Sequence, residues 1–364
     1  MEKALDRKYR PRKLSGVVGQ EHIKQYFKNA VKDNKISHAY LLTGKRGIGK
    51  TTIARIIALI VNCDDGPSVN YDTKSKICKS IIDGTCPDVW ELDGASNGSV
   101  DNIREIIKRA KTFPMMGRKR VFIIDEAHRL SGAAVSALLK ILEEPPESSM
   151  FILATTEPNK ILNTIQSRCQ RFNLRDISIE NMMIFLGKVA KAEKATVVRR
   201  KAIEMIARRS GGSLRDALKG LEAVLMAGDY QVTADVVEML IGTDVSRIDF
   251  CSLLNSIISK DYKKSISLIK EKTTSGIDPV EFFNDLLEFS HDIMVCKSIG
   301  SSDHLSLSES EEKEWESALE SNDLDTLITI HSHVIDYTGI LQSTMRPDLL
   351  LDTFVIDIIN KLED

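Results

Sequence analysis

The sequence lacks any segment that could cross a membrane. No stretch approaches the roughly 18 apolar residues that a spanning helix needs, and the opening 13 residues are charged throughout, without the apolar region of a signal peptide. The six cysteines, at positions 63, 78, 86, 169, 251 and 296, show no close pairing. These absences argue against membrane proteins, secreted proteins and disulfide frameworks, and they predict a cytoplasmic protein whose thiols stay reduced.

The chain also lacks internal repeats, coiled-coil heptads and a strong net charge. Its formal net charge of -2 argues against wholesale wrapping of nucleic acid. The charges are unevenly spread, because residues 1–55 hold 14 Lys/Arg against 4 Asp/Glu, whereas residues 301–364 hold 3 against 15. We therefore expect an anionic ligand, either nucleotide phosphate or DNA backbone, at the N-terminal part. Solvated helix faces are the alternative explanation for most of these charges.

What is present indicates a multidomain α/β protein. At 364 residues, 42% hydrophobic and 28% charged, the chain can bury a large core in two or three domains. Up to about residue 175, apolar runs at 39–43, 89–93, 121–125 and 150–155 alternate with helical patterns at 50–61, 99–111 and 131–144. Ser99 and Ser131 are placed as N-caps, and Pro145 and Pro146 end the third helix. The alternation predicts a parallel sheet with helices on both faces.

Strand signals disappear from residue 177 onward. Amphipathic segments follow at 179–192, 199–209, 213–227 and 233–241, with Gly211 and Gly212 as a helix stop before the next cap, Ser213. A further all-helical stretch is predicted over 245–364, interrupted by an exposed polar loop at 298–310.

Residues 44–51 read GKRGIGKT, the pattern of a phosphate-binding loop, and they lie between a predicted strand and a predicted helix, which is the setting of such a loop. Its glycines let backbone N–H groups turn toward phosphates at a helix start. Lys50 is expected to reach the β and γ phosphates, and Thr51 to offer its hydroxyl to Mg²⁺. The predicted nucleotide-binding residues of the loop are Gly44, Lys45, Arg46, Gly47, Ile48, Gly49, Lys50, Thr51 and Thr52.

A second motif, VFIIDEAH at 121–128, delivers two acids at the carboxyl end of a buried strand. Ligands of open α/β sheets bind at that end. Asp125 is expected to hold the Mg²⁺ shell, and Glu126 to orient and deprotonate an attacking water. A third strand ends in LATTEPNK at 153–160, where a Thr could touch the γ-phosphate or the water.

In the order of these motifs, the chain resembles the gamma/tau motor subunits of bacterial DNA polymerase III clamp loaders, or a phage relative of them. These subunits are AAA+ ATPases. The matching segments are KYRP (8–11), VGQEHI (18–23), HAYLLTGKRGIGKTT (38–52), ELDGAS (91–96), LLKILEEPPE (138–147), LATTEPNK (153–160), IQSRCQRF (165–172) and GGSLRDAL (211–218). The Ser-Arg-Cys triplet is the most discriminating, because it is shared by clamp-loader motors and uncommon in other AAA+ branches.

The resemblance implies roles for individual residues. Thr156 corresponds to sensor 1 and Arg215 to sensor 2. Arg168 corresponds to the arginine finger, which acts in the ATP site of the next subunit. The resemblance also implies a pocket for the nucleotide base, formed by Tyr9, Arg10, Pro11, Val17 and Val18.

The fold implied by the resemblance is a nucleotide-binding domain with five parallel strands (residues 1–175), a helical lid (176–243) and an all-α collar (244–364). Five subunits would assemble through the collar, open a sliding clamp and load it onto primer-template DNA. Because the chain ends just after the expected collar, it is expected to resemble the short gamma form. Two alternatives remain, a non-catalytic scaffold subunit of a loader and an AAA+ DNA-translocating helicase.

Two departures from the family pattern concern metal and DNA. The family carries a four-cysteine zinc module, but here only Cys63 and Cys78 fall at matching positions and Cys86 lies eight residues beyond. Zinc is therefore expected to be absent, the alternative being a site completed by an acid among Asp64, Asp65 and Asp72. The expected DNA-backbone contacts are Asn97, which replaces a usual basic residue, together with Ser99, Lys160 and Thr164.

Overall fold

The computed structural model of the chain describes residues 4–241, 247–274, 277–302, 305, 309–341, 344 and 346–362. They fall into two compact units, one up to Val237 and one from Glu238 onward. The expected boundary between residues 243 and 244, and part of the predicted loop at 298–310, lie outside the described residues. No helix in the described ranges is long and apolar enough to span a bilayer.

The first unit is built on a five-stranded parallel sheet with the strand order β2-β3-β4-β1-β5. Four strands confirm the sequence prediction to within one residue at each end, and the fifth was implied only by the family resemblance. The strands are β1 (Ala39–Thr43), β2 (Val89–Asp93), β3 (Arg120–Asp125), β4 (Ser149–Thr155) and β5 (Gln170–Asn173).

Helices cover both faces of this sheet, as predicted. Neighbouring residues of β1 point to opposite faces, so Tyr40 joins the apolar cluster that contains Phe27 and Ile57, whereas Leu41 joins the cluster that contains Leu138. Each strand of the sheet centre is therefore buried on both sides, which explains the continuous apolar runs in the sequence.

The helices of the first unit begin where the sequence places caps. The side chains of Ser99, Ser131 and Ser213 each accept a backbone N–H from the first turn of the following helix. The helices are α1 (Leu5–Lys8), α2 (Glu21–Lys32), α3 (Lys50–Asn62), α4 (Lys76–Ile82), α5 (Gly94–Asn97), α6 (Val100–Ala110), α7 (Gly132–Glu143), α8 (Asn163–Gln166), α9 (Ile179–Ala192), α10 (Arg200–Arg209), α11 (Leu214–Ala227) and α12 (Ala234–Ile241). Three 3₁₀ turns occupy Leu14–Gly16, Ala127–Arg129 and Pro158–Lys160.

The prediction that strands end before residue 177 was wrong in one detail. Two further strands, β6 (Val197–Val198) and β7 (Gln231–Val232), pair in parallel beside the helices. Each has only two residues, so no alternation of apolar and polar residues could reveal it.

The described part of the second unit is helical throughout, as predicted, and packs around one apolar core that includes Phe283 and Phe354. Its helices are α13 (Arg247–Ile258), α14 (Tyr262–Thr274), α15 (Pro279–Ile299), α16 (Glu309–Ser321), α17 (Leu324–Leu341) and α18 (Pro347–Lys361). Asp278 caps α15, whose Pro279 occupies the first turn, where a missing N–H costs nothing.

Candidate nucleotide-binding site

The carboxyl ends of the central strands meet at one edge of the sheet. Thr43 of β1 lies beside Thr155 of β4, and β4 in turn pairs with β3, which ends at Asp125. The segments that follow β1, β3 and β4 are the three motifs singled out in the sequence. Parallel pairing in this register therefore gathers the phosphate-binding loop, the acidic pair and the Thr pair at the same edge.

The loop between β1 and α3 depends on glycine at two points. Gly47 has a φ of +80°, and a Cβ there would lie 1.9 Å from the Ser213 hydroxyl oxygen. Gly49 has a φ of +109° immediately before α3 begins at Lys50. Both angles are rarely adopted by residues with side chains, so the loop can turn its backbone toward the helix start only with glycine.

Lys50 is buried, with 6% of its surface exposed. Its Nζ donates to the backbone oxygens of Gly44 and Lys45, both at 2.8 Å. Burial lowers the pKa of Lys50, and the carboxylates of Glu126 and Asp125 act in the opposite direction. An ammonium that is buried with neutral hydrogen-bond partners gains most from an anion, which fits a nucleotide phosphate.

Thr51 and Asp125 form the pair that a magnesium ion would use. The Thr51 hydroxyl donates to Asp125 Oδ2 at 2.6 Å, which links the first turn of α3 to the last residue of β3. A hydroxyl and a carboxylate placed side by side are the hard oxygen donors that Mg²⁺ selects, so these residues fit that ion.

Glu126 lies next to Thr156. Its Oε2 accepts from the Thr156 hydroxyl at 2.9 Å and from the Thr156 backbone N–H at 3.4 Å. Its backbone is left-handed, with φ 46° and ψ 47°, a conformation that costs a residue with a side chain about 1–3 kcal/mol and clusters at functional sites. The strained turn directs Glu126 away from the line of β3 and toward the end of β4.

A cavity of about 140 Å³ joins these residues to the N-terminal segment. The base-pocket residues implied by the resemblance, the loop residues from Arg46 to Thr52, both acids and Arg215 all line it. The complete lining is Asp6, Tyr9, Arg10, Pro11, Val17, Val18, Arg46, Gly47, Ile48, Gly49, Lys50, Thr51, Thr52, Asp125, Glu126, Ile177, Leu214, Arg215 and Leu218.

Sequence reasoning missed four of these lining residues. Leu214 and Leu218 stand one helical turn apart in the GGSLRDAL segment, so their spacing beside Arg215 was a usable signal. Asp6 accepts from Arg215 Nε at 3.2 Å but belongs to no motif. Ile177 likewise had no signal, because it lies in the connection between β5 and α9.

Arg10 and Tyr9 bring a cation and a phenol to the lining of the cavity. Burial lowers the pKa of Arg10, and the neighbouring guanidinium of Arg55 adds to the effect. Burial, with a hydrogen bond to Glu193, raises the pKa of Tyr9 to about 12, so this phenol stays protonated. The half-buried cation and the neutral ring together suit a ligand that carries both phosphates and an aromatic base.

Four predicted residues of the nucleotide site do not line this cavity: Gly44, Lys45, Thr156 and Arg168. Arg168 makes its contacts elsewhere. Its guanidinium donates to Glu143 at 2.5 Å and to the Thr164 backbone oxygen at 2.8 Å. Lys45 also points elsewhere, because its Nζ pairs with Asp176 at 2.6 Å.

The four candidate DNA contacts lie on two separate surface segments. Asn97 is exposed at the end of α5, and Ser99 caps α6. Thr164 is exposed in α8, and Lys160 pairs with Glu157 at 2.6 Å. Their exposure is compatible with contact to a phosphate backbone.

The three cysteines relevant to zinc are buried thiols. Cys63 donates to the Gly66 backbone oxygen at 2.6 Å, and burial raises the pKa of both Cys63 and Cys78. Within the described residues, no group of three or more His, Cys, Asp or Glu side chains is arranged to hold a metal ion.

A parallel sheet in this strand order, with a phosphate-binding loop after β1 and an acidic pair after β3, defines a P-loop nucleoside triphosphatase fold of the AAA+ class. Residues 19–178 match the family model described as DNA polymerase III, delta subunit, and residues 232–359 match the one described as DNA polymerase III subunits gamma and tau domain III.

Relatives confirm the resemblance. The chain is 38% identical over 294 residues to DNA polymerase III subunit gamma of Buchnera aphidicola subsp. Acyrthosiphon pisum, with 81% of each chain covered. It is 40% identical over 296 residues to DNA polymerase III subunit tau of Bacillus subtilis, covering 81% of this chain and 52% of that protein. The chain therefore belongs to the DNA polymerase III gamma/tau family. It spans about half the length of several of these relatives.

Two kinds of solved structure align with this chain. The RuvB Holliday junction branch migration motor of Thermotoga maritima aligns with 23% identity and a TM-score of 0.49, covering 69% of this chain and 80% of that one. The DNA clamp loader delta protein of Bacillus subtilis aligns with 17% identity and a TM-score of 0.40, covering 92% and 99%.

Proposed function

We propose that this chain is the ATP-hydrolysing motor subunit of a DNA sliding-clamp loader. The observation that carries the proposal is the placement of Lys50, the Thr51–Asp125 pair and Glu126 along one cavity, in a chain of the gamma/tau family. A scaffold subunit that does not hydrolyse ATP has no need of a base beside the phosphate site, whereas a motor does.

ATP binding follows from the cavity. Lys50 supplies its charge to the β and γ phosphates, while the loop backbone receives the remaining phosphate oxygens at the start of α3. Thr51 and Asp125 would hold Mg²⁺. A bound Mg²⁺ ion would neutralise the negative charge that develops on the phosphates during hydrolysis. Tyr9 and Arg10 also line the cavity and would receive the base and ribose.

Glu126 is the general base in this proposal. With Oε2 held by Thr156, the carboxylate can orient a water for in-line attack and take its proton. Thr156 thus connects the end of β4 to the base, which is the role that the resemblance gives to a sensor.

Arg168 acts on the nucleotide of a neighbouring copy or subunit. It lies outside the lining of its own cavity and is oriented by Glu143 and the Thr164 carbonyl. These two contacts occupy two of the five guanidinium N–H groups, so three remain for a phosphate. An assembly whose active sites lie between subunits couples hydrolysis to subunit packing, as the opening and release of a ring-shaped clamp require.

The partners in this proposal are the other loader subunits in a pentamer, the sliding clamp and primer-template DNA. Asn97 and Ser99 stand at the N-terminus of α6, whose backbone N–H groups can receive a DNA phosphate, and Lys160 and Thr164 supply the second contact. The contacts are few and independent of base identity, which suits a machine that loads clamps at any primed site.

The decisive test compares Glu126→Gln with wild type. The amide keeps the size of the side chain but cannot take a proton, so we expect ATP affinity to stay within about threefold while turnover falls by about 10² to 10⁴, the usual range for a general base. Glu180→Gln, an exposed acid in α9, is the matched control and should turn over ATP like wild type.

Equilibrium dialysis measures affinity, and phosphate release measures turnover with primed DNA and a sliding clamp. Wild-type turnover in the Glu126 variant would contradict ATP hydrolysis at this site. A rate that does not respond to clamp and primed DNA in the wild-type protein would contradict the loader function while leaving the ATPase in place.

A further inference from the structure

His128 lies between the proposed base and the segment after β4. It sits in the 3₁₀ turn that follows β3, and 4% of its side chain is exposed. Its Nδ1 is 3.0 Å from the Thr155 hydroxyl oxygen and 3.4 Å from Glu126 Oε2. One ring nitrogen therefore faces both the proposed catalytic carboxylate and the last residue of β4, which directly precedes Thr156.

The partners of Nδ1 define where its proton sits. The hydrogen-bond partner of Nδ1 is the Thr155 hydroxyl, whereas the Glu126 carboxylate lies beside the same nitrogen at 3.4 Å without forming a hydrogen bond. The Thr155 hydroxyl oxygen already receives the Glu157 backbone N–H at 3.0 Å and has a second lone pair for the ring N–H. A proton on Nδ1 lets the ring donate to Thr155 and turns the positive end of the same N–H toward the Glu126 carboxylate. Nε2 lies 2.9 Å from Glu157 Oε1 but makes no hydrogen bond among the described residues.

Glu126 needs this support because its backbone does not supply it. The left-handed turn at this residue is strained, and the side-chain contacts converge on Oε2, which faces Thr156 and His128. Oε1 has no hydrogen-bond partner among the described residues and is the oxygen left to receive a proton from water. Loss of a contact to Oε2 would let the carboxylate rotate away from that direction.

We propose that His128 is a positioning residue for ATP hydrolysis, which orients Glu126 through Nδ1 and ties it to the Thr155–Glu157 segment. His128 does not line the nucleotide cavity, so it acts through Glu126 and not on the phosphates. The inference rests on the proposed ATPase function and adds a residue to it.

The test uses two substitutions, each of which replaces one ring nitrogen of His128 by an amide nitrogen. The amide nitrogen of Asn can occupy the place of Nδ1, whereas that of Gln reaches the place of Nε2. We expect His128→Asn to keep turnover within about threefold of wild type, and His128→Gln and His128→Ala to lose about tenfold to a hundredfold, the cost of a misplaced catalytic group. ATP affinity should stay unchanged in all three variants.

Turnover of the full chain is measured with primed DNA and clamp, ATP affinity by equilibrium dialysis, and folding by thermal unfolding. In the Glu126→Gln background, His128→Ala should cause no further loss, because the residue it orients no longer acts as a base. Equal loss in the Asn and Gln variants, or the same fold loss in both backgrounds, would overturn the inference. The Asn and Gln pair carries the test if the Ala variant does not fold.

Failure of this inference is distinguishable from failure of the proposed function. If Glu126→Gln abolishes turnover while His128→Gln equals wild type, then His128 has no positioning role and the ATPase assignment stands. If Glu126→Gln itself turns over ATP normally, the proposed function fails first.

Discussion

The two compact units bury different kinds of residue. Two charged side chains are buried among the described residues of the first unit, Lys50 and Asp88, whereas the polar side chains buried in the described part of the second are neutral serines, Asn322 and His333. Burial lowers the pKa of His333, which favours its neutral form. Buried charge is costly unless it is partnered: Asp88 accepts backbone N–H groups of the 115–117 turn, whereas Lys50 lines the nucleotide cavity.

Backbone strain follows the same division. Among the described residues with side chains, positive φ occurs at Gln20, Asn34, Glu126, Lys194, Asp229 and Tyr230 in the first unit and at Lys260 in the second. Glu126 is the one of these that lines the nucleotide cavity. The first unit therefore holds a strained residue and a buried cation at one cavity, whereas the described part of the second unit packs around an apolar core.

The largest expected effect comes from the buried cation of the first unit. Lys50→Ala should abolish ATP binding, because it removes a charged group from two phosphates, at about 1.5–3 kcal/mol for each charged hydrogen bond. Lys140→Ala, an exposed lysine of α7, is the matched control and should bind ATP normally. Wild-type affinity of the Lys50 variant in equilibrium dialysis would mean that this loop is not the phosphate site.

A smaller effect is expected from the apolar core of the second unit. Phe354 is fully buried and packs edge-on against Phe283, with ring centroids 5.2 Å apart. Phe354→Ala should destabilise this unit by about 3–5 kcal/mol in denaturant unfolding. ATP affinity should not change, because the cavity residues all belong to the first unit. A loss of ATP affinity in the folded variant would show that the two units do not divide the work in this way.

The smallest effect is expected from metal removal. Cys63, Cys78 and Cys86 lack a fourth closing ligand in the sequence pattern, so chelators should leave the thermal unfolding temperature unchanged. Elemental analysis should find less than one zinc per chain. If the protein held one zinc per chain, and chelators removed it with a loss of stability, these thiols would have to be zinc ligands.

Sequence reasoning predicted the parts of the fold that depend on periodicity and caps. Buried strands such as β1 and β4 appear as continuous apolar runs, and Ser99 and Ser131 cap the helices that follow them. The positions of the site motifs could also be predicted, because a loop that follows a parallel strand must lie at the carboxyl end of that strand.

The rest depended on tertiary contacts that leave no local pattern. Asp6 meets Arg215 over a separation of 209 residues, and β6 and β7 are too short to show alternation. The position of His128 was visible in the DEAH motif, but its contact with Thr155 follows from the pairing of β3 with β4. Spacing along the chain could not reveal which nitrogen faces Glu126.

In the proposed assembly, each ATP site is completed by Arg168 of a neighbouring subunit. Arg168→Ala should bind ATP normally and turn it over about 10³ to 10⁵ times more slowly, the range for an arginine finger. Lys50→Ala should be inactive because it binds no ATP. Mixed together, the two variants should regain activity, since an intact loop then meets an intact finger at some interfaces.

The most direct measurement is therefore phosphate release by this mixture, with co-assembly verified and clamp and primed DNA present. As a control, Arg168→Ala mixed with the double variant Lys50→Ala/Arg168→Ala offers no intact finger and should stay at background. We expect the first mixture to exceed the sum of its components and the control mixture to stay at background. A first mixture no faster than its components, despite confirmed co-assembly, would mean that Arg168 does not complete the site of a neighbour.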